Sequence, residues 1–600
     1  MEPIFSIASP FKSAIGRGCF SMIQTPLEKL IGLDQINAMY HRIRQATRQG
    51  GHFLENALKD LNVTYDITPE DYERIPAHGP VVVVSNHPFG GIEGIILLTL
   101  LRTVRPDVMA LANYLLGRMP EMDDYMLYVN PFESRQAARQ NITGVKQTLQ
   151  WVRDGHMLIT FPSGTVSHYH IRKRTVMDPE WNPTIARIIR KTHAAVLPIY
   201  FQGHNGPLFQ VAGLLHPRLR TALLVRQLLN KRNSVFGISI GSLIPFKRLD
   251  KFENDEEMRD YLRFRTYHLF NRLYDKQKRR RWLPVPQTKQ MREIAPPVAT
   301  ETIAREVESL SADHVMLSSE DCCVYLARAP EIPNAMQEIG RLREITFRAE
   351  GEGTGQPSDL DHYDRYYMHL FLWDKKNKRI AGAYRIARTE EVLEQYGKKG
   401  LYTSSLFRYR TRLLRQLGPA LELGRSFILP EYQRAYTSLM MLWKGIGQVI
   451  LLDPRYKSMF GPVSINNDYH SMSRQMMVSF LKINRFEPDL ARLIKARKPM
   501  RIKPMKNWDW KTFSMSVIDI EEISDLITEI EKDQKGVPVL LRQYLKLGGK
   551  LLAFNIDPDF SNVLDGLVWV DLLETDPRIV NRFMGKENAR RFYDFHDNLQ

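Results

Sequence analysis

Residues 81–84 are four consecutive valines. Such a run predicts a strand buried on both faces, because branched side chains suit a sheet covered by helices on each side. It stops at the polar pair Asn86-His87, and Pro88 with the glycines at 90, 91 and 94 then predicts a tight turn into an apolar helix. Further strand ends follow at Tyr128-Val129-Asn130-Pro131-Phe132, Met157-Leu158-Ile159-Thr160-Phe161 and Val196-Leu197-Pro198-Ile199-Tyr200. Strands alternating with helices in this way predict an α/β domain over residues 76–275. Ahead of it, residues 1–75 place apolar and basic positions at helical spacing, as in Leu27-Glu28-Lys29-Leu30-Ile31, and predict amphipathic helices leading into the sheet. Residues 276–319 carry Lys276, Lys278, Arg279, Arg280, Arg281 and Trp282 ahead of several prolines, the composition of a basic interdomain linker. A second domain is predicted over 320–600. Its pattern gives a helix at 333–343, a hairpin of strands 367–373 and 379–386 across the polar turn 374–378, and a strand ending at Pro430 before a helix.

The histidine beyond the valine strand stands where open α/β sheets place their ligands. Glu93, at the start of the following helix, is close enough to hold the imidazole tautomer, and such a pair can take a proton from a hydroxyl. A lone histidine in this place is more often a hydrogen-bonded structural residue. The residues around it decide: Asn-His-Pro-Phe-Gly-Gly-Ile-Glu-Gly resembles the first motif of glycerolipid and lysophospholipid acyltransferases, whose histidine and acid form the catalytic dyad. The spacing of five residues, and glutamate in place of aspartate, is similar to a bacterial branch of that superfamily. Phe161-Pro162-Ser163-Gly164-Thr165 resembles the family's Phe-Pro-Glu-Gly-Thr motif, and the apolar-Pro segment at 196–200 its last, so the likeness covers about residues 75 to 250. It implies a glycerolipid-acyltransferase-like α/β domain with His87 and Glu93 as catalytic dyad. It also implies substrate contacts from Asn86, Gly90, Gly91, Phe161, Pro162, Ser163, Gly164 and Thr165, the amides around Gly90 and Gly91 facing a thioester oxyanion. One departure matters. Val166 stands where those enzymes carry an arginine for the acceptor's phosphate, which argues against a phosphate-bearing acceptor, although Arg172, Lys173 and Arg174 lie nearby.

In the second half, Asp361 with Asp364, Arg385 after Gly382, and Glu422 with Arg425 occur in an order similar to that of bacterial lipid N-acyltransferases. Those enzymes have a GNAT-type fold and are related to acyl-homoserine-lactone synthases; the likeness extends over about 320 to 595 and implies a GNAT-like α+β domain. Each pair alone is an ordinary surface ion pair. Glu422 is the candidate base that frees an amine for attack on a thioester. Asp361 and Asp364 would order the entrance loop and hold the amino-acid cation. Arg385 and Arg425 would bind its carboxylate or pair with those acids, and a closed ion-pair network that only holds the fold is the competing reading. Residues 433–438, where GNAT enzymes cradle a pyrophosphate on glycine-bearing backbone, contain no glycine. That favours an acyl carrier protein thioester over coenzyme A.

The formal charge of +17 calls for an acidic partner. Acyl carrier protein and an anionic membrane surface both qualify. The basic run Arg492, Lys495, Arg497, Lys498, Arg501, Lys503 and Lys506, with Met500, Met505 and Trp508, is the candidate surface. No nucleic-acid module accompanies it, so nucleic acid is not expected as a partner. No apolar stretch reaches the ~18 residues of a membrane span, and the first residues lack a signal-peptide core. Three cysteines, Cys19, Cys322 and Cys323, form no metal-ligand pattern and fit a reducing compartment. The fusion of the two domains resembles the bifunctional ornithine-lipid synthase family. That resemblance implies N-acylation of ornithine by the second domain and O-acylation of the lyso-lipid's 3-hydroxyl by the first. It also implies no cofactor beyond the acyl thioester co-substrate, and a place on the cytoplasmic membrane's inner face. The alternatives are acylation of glycine or another amino acid, synthesis of an acyl-amino-acid signal, and a scaffold with one or both sites degenerate.

Overall fold

The computed structural model describes residues 4–6, 24–113, 117–129, 135–171, 174–215, 220, 222–270, 291–433, 436–501, 513, 517, 519–531 and 533–598. The chain divides into two units, Met1–Leu283 with Met505–Ser516, and Pro284–Pro504 with Val517–Gln600.

The first unit runs through β1 (Thr64–Asp66), β2 (Val81–Ser85), β3 (Val108–Asn113), β4 (Met126–Val129), β5 (Met157–Thr160), β6 (His168–His170), β7 (Thr175–Met177), β8 (Ala195–Phe201) and β9 (Val235–Ile240). Its main sheet has the order β1-β9-β8-β2-β5-β3-β4, and β6 pairs with β7 as a separate hairpin. The valine strand β2 lies inside the sheet, parallel to both β5 and β8. Val81 and Val83 enter one core and Val82 and Val84 the other. Each such burial contributes roughly 1.5–3 kcal/mol, so the strand that carries the histidine is anchored from both faces.

The amino-terminal region differs from the helical reading at one point. Helices Leu33–Gln49 and Phe53–Asp60 are present, but Asn62 turns left-handed (φ 47°) and Thr64–Asp66 joins the sheet parallel to β9. The triplet Thr64-Tyr65-Asp66, only two of whose residues favour strands, pairs with Val235, Phe236 and Gly237, a distant partner that local periodicity does not register.

The second unit contains β10 (Val315–Ser318), β11 (Cys322–Arg328), β12 (Met368–Asp374), β13 (Arg379–Arg388), β14 (Phe407–Tyr409), β15 (Ala420–Ile428), β16 (Ser458–Ile465), β17 (Ile494–Ala496), β18 (Lys550–Asp557) and β19 (Val563–Asp571). Apart from the small β14–β17 pair, they form one sheet, β10-β11-β12-β13-β15-β16-β19-β18. All neighbours are antiparallel except β15 and β16. That parallel pair holds only at Ala420↔Ser458, Leu421↔Met459 and Glu422↔Phe460. Beyond Glu422, β15 continues beside β13 and β16 beside β19, so the sheet forks there. The unit begins inside the stretch read as a linker: helix Thr300–Glu308 packs Ile303, Ala304 and Val307 into the core, and β10 is the sheet's edge. The basic segment 276–282 lies outside the described residues.

Candidate active sites

His87 Nδ1 lies 2.9 Å from Oε1 of Glu93, with 18% of the histidine side chain exposed and none of the glutamate's. The contact is bent away from a straight N–H···O line, so charge contributes more to it than directed hydrogen bonding. Glu93 is the second residue of helix Ile92–Arg102 and turns back over the preceding loop. Its Oε1 accepts the amides of Phe89 and Gly90, each at 2.9 Å, and its Oε2 that of Gly91 at 3.1 Å. Burial would raise the Glu93 carboxyl, but His87 and the loop amides outweigh it and bring it down to about 2. Burial would likewise lower the His87 imidazole, yet the Glu93 charge beside it leaves it raised above its ordinary 6.5.

The loop amides require a correction. Those of Gly90 and Gly91 are taken up by the Glu93 carboxylate, so they hold the loop to the helix and are not free to receive an oxyanion. Gly90 has a different necessity. It turns at φ 100°, and a Cβ there would come within 2.9 Å of both Leu224 and Val166.

Asn86, expected at the substrate, instead ties two strand ends together. Its Nδ2 donates to the Phe201 carbonyl at 3.0 Å and its Oδ1 accepts the Phe201 amide at 2.8 Å. The Phe161 ring packs against His87 with centroids 4.5 Å apart. Pro162 is buried and its carbonyl accepts the Asn182 amide, while Ser163 bonds the Thr165 carbonyl at 2.8 Å across a turn at left-handed Gly164. Of this motif, Phe161 alone is in ring contact with the dyad residue His87.

The sequence did not point to Asp178. Fully buried, it accepts the His87 amide at 3.1 Å, the Ser167 hydroxyl at 2.5 Å and the Trp181 indole at 2.9 Å. It thereby fixes the backbone from which the imidazole projects, across 91 residues of sequence.

In the second unit, Arg385 is almost fully buried and pairs with Asp361 at 2.7 Å and Asp364 at 3.1 Å. Asp364 also receives Arg343 at 2.8 Å and the Asp361 amide at 2.8 Å. Arg425 reaches Asp359 at 3.4 Å and Asp361 at 3.5 Å. Three arginines and three aspartates thus form one network, to which Arg343 and Asp359 were not assigned from the sequence. Despite burial, the two arginines hold the Asp364 carboxyl far below its usual range. Asp361 is its most exposed member, with 22% of the side chain accessible.

Glu422 sits at the fork and is buried. Its carboxylate accepts the Tyr367 and Thr403 hydroxyls and the amides of Tyr402 (3.2 Å) and Thr403 (2.8 Å). Burial leaves its carboxyl raised despite these donors. A bulge between β13 and β15 brings Arg425 to the same place. The register slips between Ala383 and Arg385, Arg425 takes φ 49°, and its guanidinium lies over the rings of Tyr402 at 4.9 Å and Phe560 at 4.2 Å. Of the six residues 433–438, Arg434 and Ala435 lie outside the described residues; so do Lys503, Met505, Lys506 and Trp508 of the basic run, and Lys173 and Arg172 near the first site. Among the described residues, no cluster of histidine, cysteine and acidic side chains is placed to hold a metal. No described helix is long and apolar enough to cross a membrane.

Near the fork, burial and the Asp557 charge push Asp565 up to about 7, while Ser464 donates to it at 2.9 Å. A carboxyl raised on folding gives stability below its ordinary 3.8 that is lost as pH rises through the folded value. Asp565→Asn is therefore expected to raise the melting temperature at about pH 8 and change it little at about pH 4. Calorimetry showing a lower melting temperature at the higher pH would contradict that charge balance.

Residues 21–275 match the family described as Acyltransferase, and residues 342–444 the one described as Acetyltransferase (GNAT) domain. The chain is 32% identical over 304 residues to a glycine N(alpha)-acyltransferase of Phocaeicola vulgatus, across 48% of this chain and 92% of that protein. It is 25% identical over 252 residues to the lyso-glycine lipid O-acyltransferase of the same organism, across 40% and 86% respectively. An L-ornithine N(alpha)-acyltransferase of Agrobacterium fabrum is 24% identical over 258 residues, across 41% and 78%. The protein is an acyltransferase in which a mixed α/β acyltransferase-like domain precedes a GNAT-like domain. It belongs to the family of the Phocaeicola vulgatus glycine N(alpha)-acyltransferase.

Proposed function

We propose that this chain performs two successive acylations that build an amino-acid lipid. The second unit transfers a 3-hydroxyacyl group to the α-amine of an amino acid. The first unit then acylates the 3-hydroxyl of that product, with His87 as base, Glu93 orienting it and Phe161 lining its approach. The observation carrying this reading is that one chain is similar both to an N-acyltransferase and to a lyso-lipid O-acyltransferase that are separate proteins in one organism. Glycine is the better supported acceptor, since the glycine enzyme is 32% identical and the ornithine enzyme 24%. Val166 in place of a phosphate-binding arginine agrees with an acceptor that carries a carboxylate and no phosphate. At the fork, Glu422 takes up the amine's proton and Arg425, with Asp361 beside it, receives the amino acid.

The donor in this proposal is an acyl carrier protein thioester, supported by the +17 charge and the glycine-free segment 433–438. The same charge supports docking on an anionic membrane face, weakened by salt. Expression in a bacterial host lacking aminolipids tests the proposal. A new ninhydrin-positive, phosphorus-free diacylated lipid is expected, and its mass distinguishes glycine from ornithine. Extracts without any new lipid refute it.

A further inference from the structure

The first site holds a cation that no motif identifies. Lys231 lies in the turn between helix Leu224–Leu229 and β9, and its Nζ stands 4.4 Å from the centre of the Phe89 ring. Phe89 follows His87 by two residues, its ring is buried, and its amide is held by Glu93. The Lys231 ammonium is partly withdrawn from water, which lowers its pKa, and it feels the Glu93 charge of the dyad. The position at which related acyltransferases carry their guanidinium is closed to such a role. Val166 is buried there and packs on Gly90.

We propose that Lys231 receives the carboxylate of the amino-acid lipid while the acceptor's 3-hydroxyl meets His87. This deepens the O-acylation reading above and rests on it. In an N-(3-hydroxyacyl) amino acid the carboxylate and the 3-hydroxyl are separated by about 7 Å of extended chain, so an acceptor whose hydroxyl meets His87 carries its carboxylate into the surroundings of Phe89, whose ring Lys231 covers. A partly desolvated ammonium over an aromatic ring gains from an anion that arrives with the substrate, because charge-assisted hydrogen bonds strengthen as water is excluded. Lys231 is thus a binding and positioning residue that selects for a carboxylate-bearing acceptor.

The test uses the full-length protein, N-(3-hydroxypalmitoyl)glycine and its methyl ester as acceptors, and Lys231→Ala and Lys231→Arg variants with unchanged thermal unfolding. Wild type is expected to prefer the free acid. Lys231→Ala should lose about 10- to 100-fold in kcat/KM on the acid, mostly through KM, with little change on the ester, and Lys231→Arg should recover most of the loss. Equal use of acid and ester by wild type, or equal losses on both in Lys231→Ala, overturns the assignment while leaving the O-acylation reading in place. If wild type acylates neither compound but does acylate a lysophosphatidic acid, the O-acylation reading falls and this inference with it.

Discussion

His87→Ala is expected to lower O-acylation by about 10²- to 10⁴-fold, the usual contribution of a positioned general base. On the proposed function the N-acylated lyso-lipid should accumulate, because the residues proposed to serve N-acylation belong to the other unit. Mass spectrometry of lipids from a variant-expressing host reads both effects at once, and diacylated lipid at the wild-type rate would remove His87 from the mechanism. Glu93→Gln is not expected to be mild. Each Glu93 oxygen receives at least one loop amide, and a glutamine must turn its NH₂ toward one of those donors. That leaves at least one loop N–H, itself part-buried, without its acceptor, at about 1 kcal/mol or more, and loosens the turn that presents the histidine.

The pH dependence separates this role from a purely structural one. Only neutral imidazole accepts the hydroxyl proton, and the Glu93 charge keeps His87 protonated to a pH above 6.5. O-acylation should therefore rise with pH through a midpoint above that value. Glu93→Gln removes the raising charge and leaves burial, so the residual activity should titrate at lower pH. The raised His87 gives stability that is fully present below pH 6.5 and lost as pH rises through the His87 value, while the lowered Glu93 gives stability that is fully present above pH 4.5 and lost as pH falls through about 2. Activity and the His87 part of the stability thus run in opposite directions with pH.

Much of this was legible locally. The valine run, the Pro-Gly turn and Glu93 six residues beyond the histidine specify β2, the loop and the His87–Glu93 contact from adjacent residues, and the polar turn at 374–378 specifies the β12–β13 hairpin. What escaped depends on partners distant in sequence or on register. Asp178 reaches His87 across 91 residues, and nothing in its own surroundings marks it. Arg343 reads as a polar position on helix Pro333–Ala349 until the fold sets it 2.8 Å from Asp364. Alternation along β15 would put Glu422 and Arg425 on opposite faces, since they are three residues apart. The bulge and the positive φ of Arg425 cancel that alternation and bring both against Tyr402. The glycines of the first motif look like oxyanion donors because flexible loops commonly are. Only the structure reveals that a carboxylate has already claimed their amides.

The largest stability effect is expected from Arg385→Ala. The side chain is 1% exposed, paired with Asp361 and Asp364, and enclosed by the rings of Tyr363, Tyr367 and Tyr402 at 4.9–5.5 Å. Removing one partner of a buried ion pair leaves charge uncompensated and costs about 3–5 kcal/mol, enough to lower the melting temperature of the second unit by on the order of 10 °C. Its N-acylation should disappear with its folding, while O-acylation of supplied lyso-lipid persists. Asp361→Asn acts differently. Asp361 lies at the accessible edge of the network, and Asp364 retains Arg343 and Arg385 without it. That variant should melt near wild type and show a raised KM for the amino acid with a nearly unchanged kcat. Glu422→Gln completes the contrast. It keeps an acceptor oxygen for part of the Tyr367 and Thr403 shell but loses the proton-accepting charge, so kcat should fall with the amino-acid KM largely unchanged. Measuring unfolding, KM and kcat on the three variants decides between a network that supports the fold and one that meets substrate. Equal destabilisation in all three, with loss of N-acylation in each, would make the whole cluster structural and remove Glu422 and Asp361 from the site.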